Sequence, residues 1–187
     1  MAKGGIISAI HQGSLAEELE LVPGDKIISI NEQELTDIID LSFALADEKI
    51  EMLIEHENGE QEIIAFEKDI DEELGAEFES AVFGKIRQCA NNCYFCFVDQ
   101  VAPNMRDSLY IKDDDYRLSF LYGNFVTMTN MGPRDLERIH RLHLSPLYIS
   151  VHTTNPKLRG EMLRTKRGEL IMEQLAKLNE ADVEYHT

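Results

Sequence analysis

Cysteine is scarce in this chain, with three in 187 residues. An odd number cannot be fully paired internally, which argues against a secreted disulfide framework. Long apolar runs are missing as well. The longest fall far short of the roughly 20 residues that span a bilayer, so no membrane crossing is expected. The opening MAKGGIISAIHQG has one lysine, a short apolar patch and no small-residue cleavage site, which is not the pattern of a secretory leader. A reducing cytoplasm is the expected setting. No low-complexity tract interrupts the sequence, and 43% of residues are hydrophobic, the makeup of a globular chain.

Basic residues are few in one half only. Residues 1–80 carry 4 Lys and Arg against 22 Asp and Glu, a net of -18, whereas residues 81–187 carry 14 against 13, a net of +1. The total of -17 therefore belongs to one end of the chain. Such a shift divides the sequence into two units, with a seam near DIDEELGAEFES, residues 69–80. The expected organisation is a first domain over 1–70, an acidic linker over 71–80 and a second domain over 81–187. The acidic half should repel nucleic acid phosphates, and its charge reads as a solvated surface that keeps the domain soluble.

Within the acidic half, GGIISAI (4–10) reads as a strand and LAEEL as one or two helical turns after Gly13-Ser14. Pro23-Gly24-Asp25 is a turn, IISI a β-branched strand, and Asn31-Glu32 a second turn. Thr36 is the expected N-cap of an apolar helix over DIIDLSFALA. KIEMLIEH and EQEIIAFE flank Asn58-Gly59, the strongest short hairpin signal. This order, carried by GGIISAI, GSLAEELELVPGDKIISINEQEL and DIIDLSFALA, resembles a bacterial PDZ domain. PDZ domains capture a peptide C-terminus at a sheet edge beside a carboxylate-binding loop. In the bacterial domains that loop precedes the segment matching GGIISAI, and here only three residues stand ahead of Gly4. A docking or scaffolding role is therefore expected over peptide capture, with Ile38 and Leu41 in the core.

All three cysteines fall in CANNCYFCFVD, spaced C-x3-C-x2-C at Cys89, Cys93 and Cys96. A loop wrapping a metal centre can turn thiolates this close onto one point, which a regular strand cannot. Three thiolates would satisfy three irons of a 4Fe–4S cluster and leave the fourth open. A structural zinc site, with His140, His143 or His152 as fourth ligand, also fits the spacing. A redox pair at Cys93 and Cys96 would leave Cys89 without a role.

With Phe95 in the aromatic position, C-x3-C-x-aromatic-C resembles the signature of the radical S-adenosylmethionine (SAM) superfamily. That resemblance implies a 4Fe–4S cluster on the three cysteines and SAM chelated to the open iron. It further implies an electron donor such as flavodoxin or ferredoxin, and a 5′-deoxyadenosyl radical as the product of cleavage. Phe95 would lie near the adenine. Many members hold the SAM amino group with Gly-Gly-Glu after the second strand; here that strand ends in Thr129-Asn130-Met131. Thr129 and Asn130, with Ser150 and His152 one strand later, are therefore the candidate cofactor-binding residues, at the strand ends where such sites lie.

Strands are expected at AVFGKIRQ (81–88), GNFVTMTN (123–130), SPLYISVHTTN (145–155) and VEYHT. Helices are expected from Pro133 and over KRGELIMEQLAKLNEADV, with Leu170, Ile171, Leu175 and Leu178 on one face. The fold class is thus α/β: a small α+β PDZ-like domain, then the first part of a parallel βα barrel, the partial barrel of the radical SAM domain. PDZ-like unit, cysteine loop and SLYIKDDDYRLSFLYGNFVTMTN together resemble a group of bacterial proteins joining a PDZ-like to a radical SAM domain. A closed βα barrel takes around 250 residues, so the chain is expected to be an N-terminal fragment, inactive as an enzyme alone. The alternative is a PDZ-like scaffold with a structural iron–sulfur or zinc site. Asp113-Asp114-Asp115 reads as solvated or capping, His140 and His143 as cover for a helix face, and RTKRG (164–168) as a basic loop.

Overall fold

The structure is a computed structural model that describes residues 4–187. Met1–Lys3, the head of the segment read for a leader, lie outside them. Two compact units divide the chain, one ending at Lys85 and the other running from Ile86 to Thr187.

The first unit is an antiparallel sheet with two short helices. Its strands are β1 (Gly5–Ile10), β2 (Lys26–Ile30), β3 (Gln33–Glu34), β4 (Lys49–Glu55), β5 (Gln61–Glu67) and β6 (Ala76–Phe78). The sheet order is β5-β4-β2-β1-β6, with β3 on β2. The β4–β5 hairpin keeps register without a break from Lys49–Glu67 to Glu55–Gln61. Alternation explains this: Ile50, Met52 and Ile54 are buried while Glu51 points to solvent, so a one-residue slip would invert the faces. The helices are α1 (Leu15–Glu18), capped by Ser14, and α2 (Ile38–Ala44). Ile7, Ile27, Ile30, Leu35, Leu41, Met52 and Ile54 form the core with neighbours from both helices and every strand but β3.

Two expectations are corrected here. The cap of α2 is Asp37, whose Oδ1 accepts from the backbone N–H groups of Ile39 (3.1 Å) and Asp40 (3.0 Å). Thr36 instead donates its hydroxyl to Asp40 (2.6 Å). A carboxylate one residue nearer the first turn reaches two orphan amides, where a hydroxyl reaches one at most. No strand runs over 81–88 either. Val82 bridges Asp37 and Phe83 stacks on Phe78 with centroids 5.4 Å apart, so both serve the first unit, whereas Gln88 bridges Asp113 in the second. The stretch read as an acidic linker holds β6, because Leu74 and Phe78 bury apolar side chains between its acids.

The second unit contains α3 (Tyr116–Tyr122), α4 (Pro133–Arg141), β7 (Leu147–Tyr148), α5 (Pro156–Leu163), α6 (Ile171–Glu180) and β8 (Tyr185–His186). β7 and β8 pair in parallel, and Val126 bridges Ile149 in parallel on the other side. Three chain segments therefore run the same way with helices between them. The overall class is mixed α/β, as expected. The 123–130 segment makes only the Val126 bridge, because Met128 adopts a left-handed φ of 61° that bends the strand. Helix α4 opens at Pro133 as expected, on the amide of Gly132 donating to Asp135 (2.8 Å). On α6, Ile171, Leu175 and Leu178 are buried, but Leu170 precedes the helix and is 46% exposed.

Candidate cofactor site

The cysteine loop leaves the extended segment at Gln88 and is fastened at several points. Cys89 donates its N–H to the Lys112 carbonyl (2.7 Å), Asn92 to Leu163 (3.3 Å), and the Arg164 guanidinium lies 4.1 Å over the Tyr94 ring. The three thiols are free and partly buried. Burial pushes the Cys89 thiol up, and nearby Asp114, Cys93 and Cys96 add to the rise. Burial also raises Cys93, as does Cys96, while Lys112 and Arg159 pull it back toward the thiolate. Each thiol thus sits within electrostatic reach of another. Lys112 pairs with Asp99 (2.5 Å), and that pairing, with a hydrogen bond involving Cys96, holds the exposed Asp99 carboxyl below its usual range.

A polar network ties the loop to the bent strand. Asn91, buried inside the loop, donates Nδ2 to the Thr127 hydroxyl (3.0 Å) and accepts from the Thr129 hydroxyl (2.9 Å). Thr127 in turn donates to Asp114 (2.8 Å). Burial raises the Asp114 carboxyl despite the Thr127 hydrogen bonds. Next to it, Asp115 is held below its usual range: burial opposes this, but the Arg117 guanidinium (2.8 and 2.6 Å) and the backbone N–H groups of Arg87 and Arg117 together outweigh it. Asp115 also caps α3, as one reading of the triple aspartate had it. Both Asp114 and Asp115 are buried, however, so the solvated reading does not hold.

The four candidate cofactor residues separate into two places. Ser150 follows β7, donating its N–H to Val126 (2.8 Å). His152 lies two residues on, with its ring centroid 5.0 Å from that of Phe95. Although His152 keeps a solvent-facing side, burial of its ring and then the Arg159 charge lower its pKa. Phe95 and His152 are thereby brought together from two elements 57 positions apart. Thr129 and Asn130 stand instead beside a cavity of about 740 Å³, also lined by Arg87, Arg134, Arg167 and Gln174 and by none of the cysteines. Asn130 donates Nδ2 to the Asp114 carbonyl (2.9 Å), and its buried Oδ1 has no hydrogen-bond partner. His140 and His143, the other zinc candidates, are both exposed, 6.1 Å apart at the far end of α4 from Asn130. Among the described residues no three His, Cys, Asp or Glu side chains are gathered into a set that could hold a metal ion as they stand.

A family model for a radical SAM-like domain matches residues 68–187, which include the cysteine loop, the bent strand and the rest of the second unit. The chain belongs to the radical SAM-like family. A PDZ domain model matches residues 6–56, so the radical SAM-like domain follows a PDZ domain here. Among curated proteins, none matches the chain.

Arg159 is the residue of this radical SAM-like domain that the sequence did not disclose. Its side chain is fully buried and donates to four carbonyls, those of Val151 (2.8 Å), Gly168, Thr127 and Ser150 (each 2.9 Å). It clamps the ends of two parallel segments together behind the cysteine loop. A buried guanidinium of this kind satisfies strand-end carbonyls that have no further ladder to join. Nothing in LRGEML marks the arginine for burial. Asn91 could have been found, since a short amide inside a metal-type loop has few roles other than bracing it.

Proposed function

We propose that the chain is a radical SAM protein that holds a 4Fe–4S cluster on Cys89, Cys93 and Cys96 and binds SAM at the open iron. The observation that carries this reading is the C-x3-C-x2-C loop lying inside the matched radical SAM-like region. The donor chemistry fits the group: three free thiols on one loop braced by Asn91, which would have to draw closer together than they stand to hold it. Among metals that take such ligands, iron–sulfur clusters accept three cysteines and leave one iron open. When bound, the cluster supplies the electron that cleaves the sulfonium of SAM and releases a 5′-deoxyadenosyl radical.

The residues of the chain do the rest. Lys112 and Arg159 place positive charge near Cys93 and favour its ligating thiolate. Phe95, backed by His152, offers an aromatic face to the adenine, and Ser150 stands at the same strand end. Asn130, with its unpartnered Oδ1, stands at the cavity away from the cysteines, so it would serve the SAM ammonium only if the loop closed toward that side. Thr129 contributes indirectly, by orienting Asn91. A reducing cytoplasm and an electron donor of the flavodoxin or ferredoxin type follow from this chemistry. No described helix is long and apolar enough to cross a membrane.

Anaerobic reconstitution with iron and sulfide tests the reading. The reduced protein is expected to give an EPR signal that changes when SAM is added, and Cys93→Ala should lose the brown chromophore. A signal indifferent to SAM would favour a scaffold with a structural cluster. Stoichiometric zinc without iron, or a chromophore that survives Cys93→Ala, would overturn the proposal.

A further inference from the structure

Among the described residues, two buried side-chain polar atoms have no hydrogen-bond partner: Oδ1 of Asn130 and Oε1 of Gln174. Both residues line the same cavity, the one of about 740 Å³ at the start of α4. Their carboxamides cannot simply be reversed. Asn130 donates Nδ2 to the Asp114 carbonyl (2.9 Å) and Gln174 donates Nε2 to the Met128 carbonyl (2.9 Å), so a flip would set oxygen against oxygen. Two acceptors are therefore fixed at one cavity without donors, and a buried polar group left so costs about 1–3 kcal/mol. Donors brought by a ligand would recover that cost.

The rest of the lining tells what else such a ligand carries. Three arginines, Arg87, Arg134 and Arg167, line the cavity against one carboxylate, Asp135. That carboxylate is engaged within the chain: it accepts from the Arg87 guanidinium (2.5 Å) and from the Gly132 N–H (2.8 Å). Arg134 and Arg167 are exposed, and Arg167 reaches the Thr129 carbonyl only at 3.5 Å. Guanidinium forks match phosphate oxygens, and a phosphate monoester brings a charge of about -2, enough to balance the cationic excess where a carboxylate would not. The cavity has an apolar side as well. Met131, Pro133 and Leu170 line it, and the 46% of Leu170 left uncovered ahead of α6 gives a planar ring a surface to rest on. The volume lies within the usual range for small-molecule sites.

We propose that this cavity binds a nucleoside monophosphate whose base carries an exocyclic amine. The amine donates to the oxygens of Asn130 and Gln174, the ring rests on Leu170, and the phosphate meets Arg134 and Arg167. Cytosine and adenine present such a donor. Uracil puts an oxygen where cytosine has its amine, and that oxygen would face two acceptors. None of the cysteines lines the cavity, so the site goes beyond the cluster chemistry proposed above and does not depend on it.

The test uses the full chain before iron and sulfide are added, so that its outcome is separate from that of the cluster reading. Calorimetric titration should show CMP or AMP binding at least about tenfold more tightly than UMP. Replacing the exposed pair together, Arg134→Gln with Arg167→Gln, should weaken the preferred nucleotide about tenfold and flatten its salt dependence. Gln174→Met, close in volume but without the acceptor, should narrow the preference over UMP while phosphate binding persists. Equal binding of UMP would overturn the proposal, as would failure of both CMP and AMP to bind at millimolar concentration. Ribose 5-phosphate or inorganic phosphate binding as tightly as the nucleotide would also overturn it, since the base would then contribute nothing. So would displacement of the nucleotide by SAM, which would make the cavity part of the SAM site.

Discussion

The two units of this chain are stabilised in different ways. The first carries nearly all the net charge yet is held by apolar matter: a continuous antiparallel register over a floor of Ile, Leu and Met. The second is almost neutral, yet its strands are two residues long where they are regular at all, and buried polar groups join them. Asn91, Asp114, Thr129, Arg159 and Gln174 all lie in the second unit, less than a tenth exposed. Surface charge therefore says little about what holds a domain together. The difference also suits the task proposed for the second unit, since a buried polar network fixes a loop in one geometry more strictly than apolar contacts do.

Removing one clamp from each unit should separate these modes, and hydrogen exchange on the full chain can read both at once. Arg159→Met should have the largest effect. It removes the guanidinium from four carbonyls, of which that of Val151 keeps the Thr153 N–H (2.7 Å); at about 1–3 kcal/mol for each of the others, protection should fall across the second unit and cluster incorporation with it. Protection retained around Val126 and Ile149 would show that the clamp is dispensable. Met52→Ala should come next, costing about 3 kcal/mol through the cavity it opens beneath the first sheet. That loss should be confined to β1, β2, β4 and β5. If it spread into residues 86–187, the units would not be separate in stability.

The smallest effects come from pH, and two sets of groups, one in each unit, should answer in opposite directions. In the second, burial raises Asp115 and Asp135, but hydrogen bonds and charge from Arg117 and Arg87, with backbone N–H donors, together depress both. Their stabilisation is present above the ordinary carboxylate pKa of about 4 and is lost as pH falls through the depressed values. In the first, hydrogen bonds to Asp25 and then Glu62 raise His56. That contribution is present below about 6.5 and is lost as pH rises through the elevated value. Exchange from pH 3 to 8 should therefore show protection around Asp115 and Asp135 weakening at the acid end and protection around His56 falling a little at the basic end. Parallel pH profiles would contradict these assignments.

Much of the first unit was legible because its signals are local. Asn-Gly between two alternating runs sets a hairpin, and Pro-Gly-Asp sets a turn, whatever the rest of the chain does. The α2 cap was misplaced by one residue, since Thr36 and Asp37 are both capable caps and the choice depends on where the helix meets Ala81, whose carbonyl takes the Ile38 N–H. The strand over 81–88 was misread for a similar reason. Val82 and Phe83 have strand character, but the first core already has room for them, and that core is assembled from residues distant in sequence.

The order of amino acids alone determined the three-thiol loop, the charge asymmetry and the α/β class, because spacing, composition and periodicity are properties of a chain before it folds. Only the tertiary structure decided that Phe95 meets His152, that Asn91 braces the loop against Thr127 and Thr129, and that Arg159 is buried. It alone set Asn130 and Gln174, some forty residues apart, at one cavity. These are contacts between segments whose pairing depends on packing of the whole unit, and no local pattern records which distant partner a side chain will find.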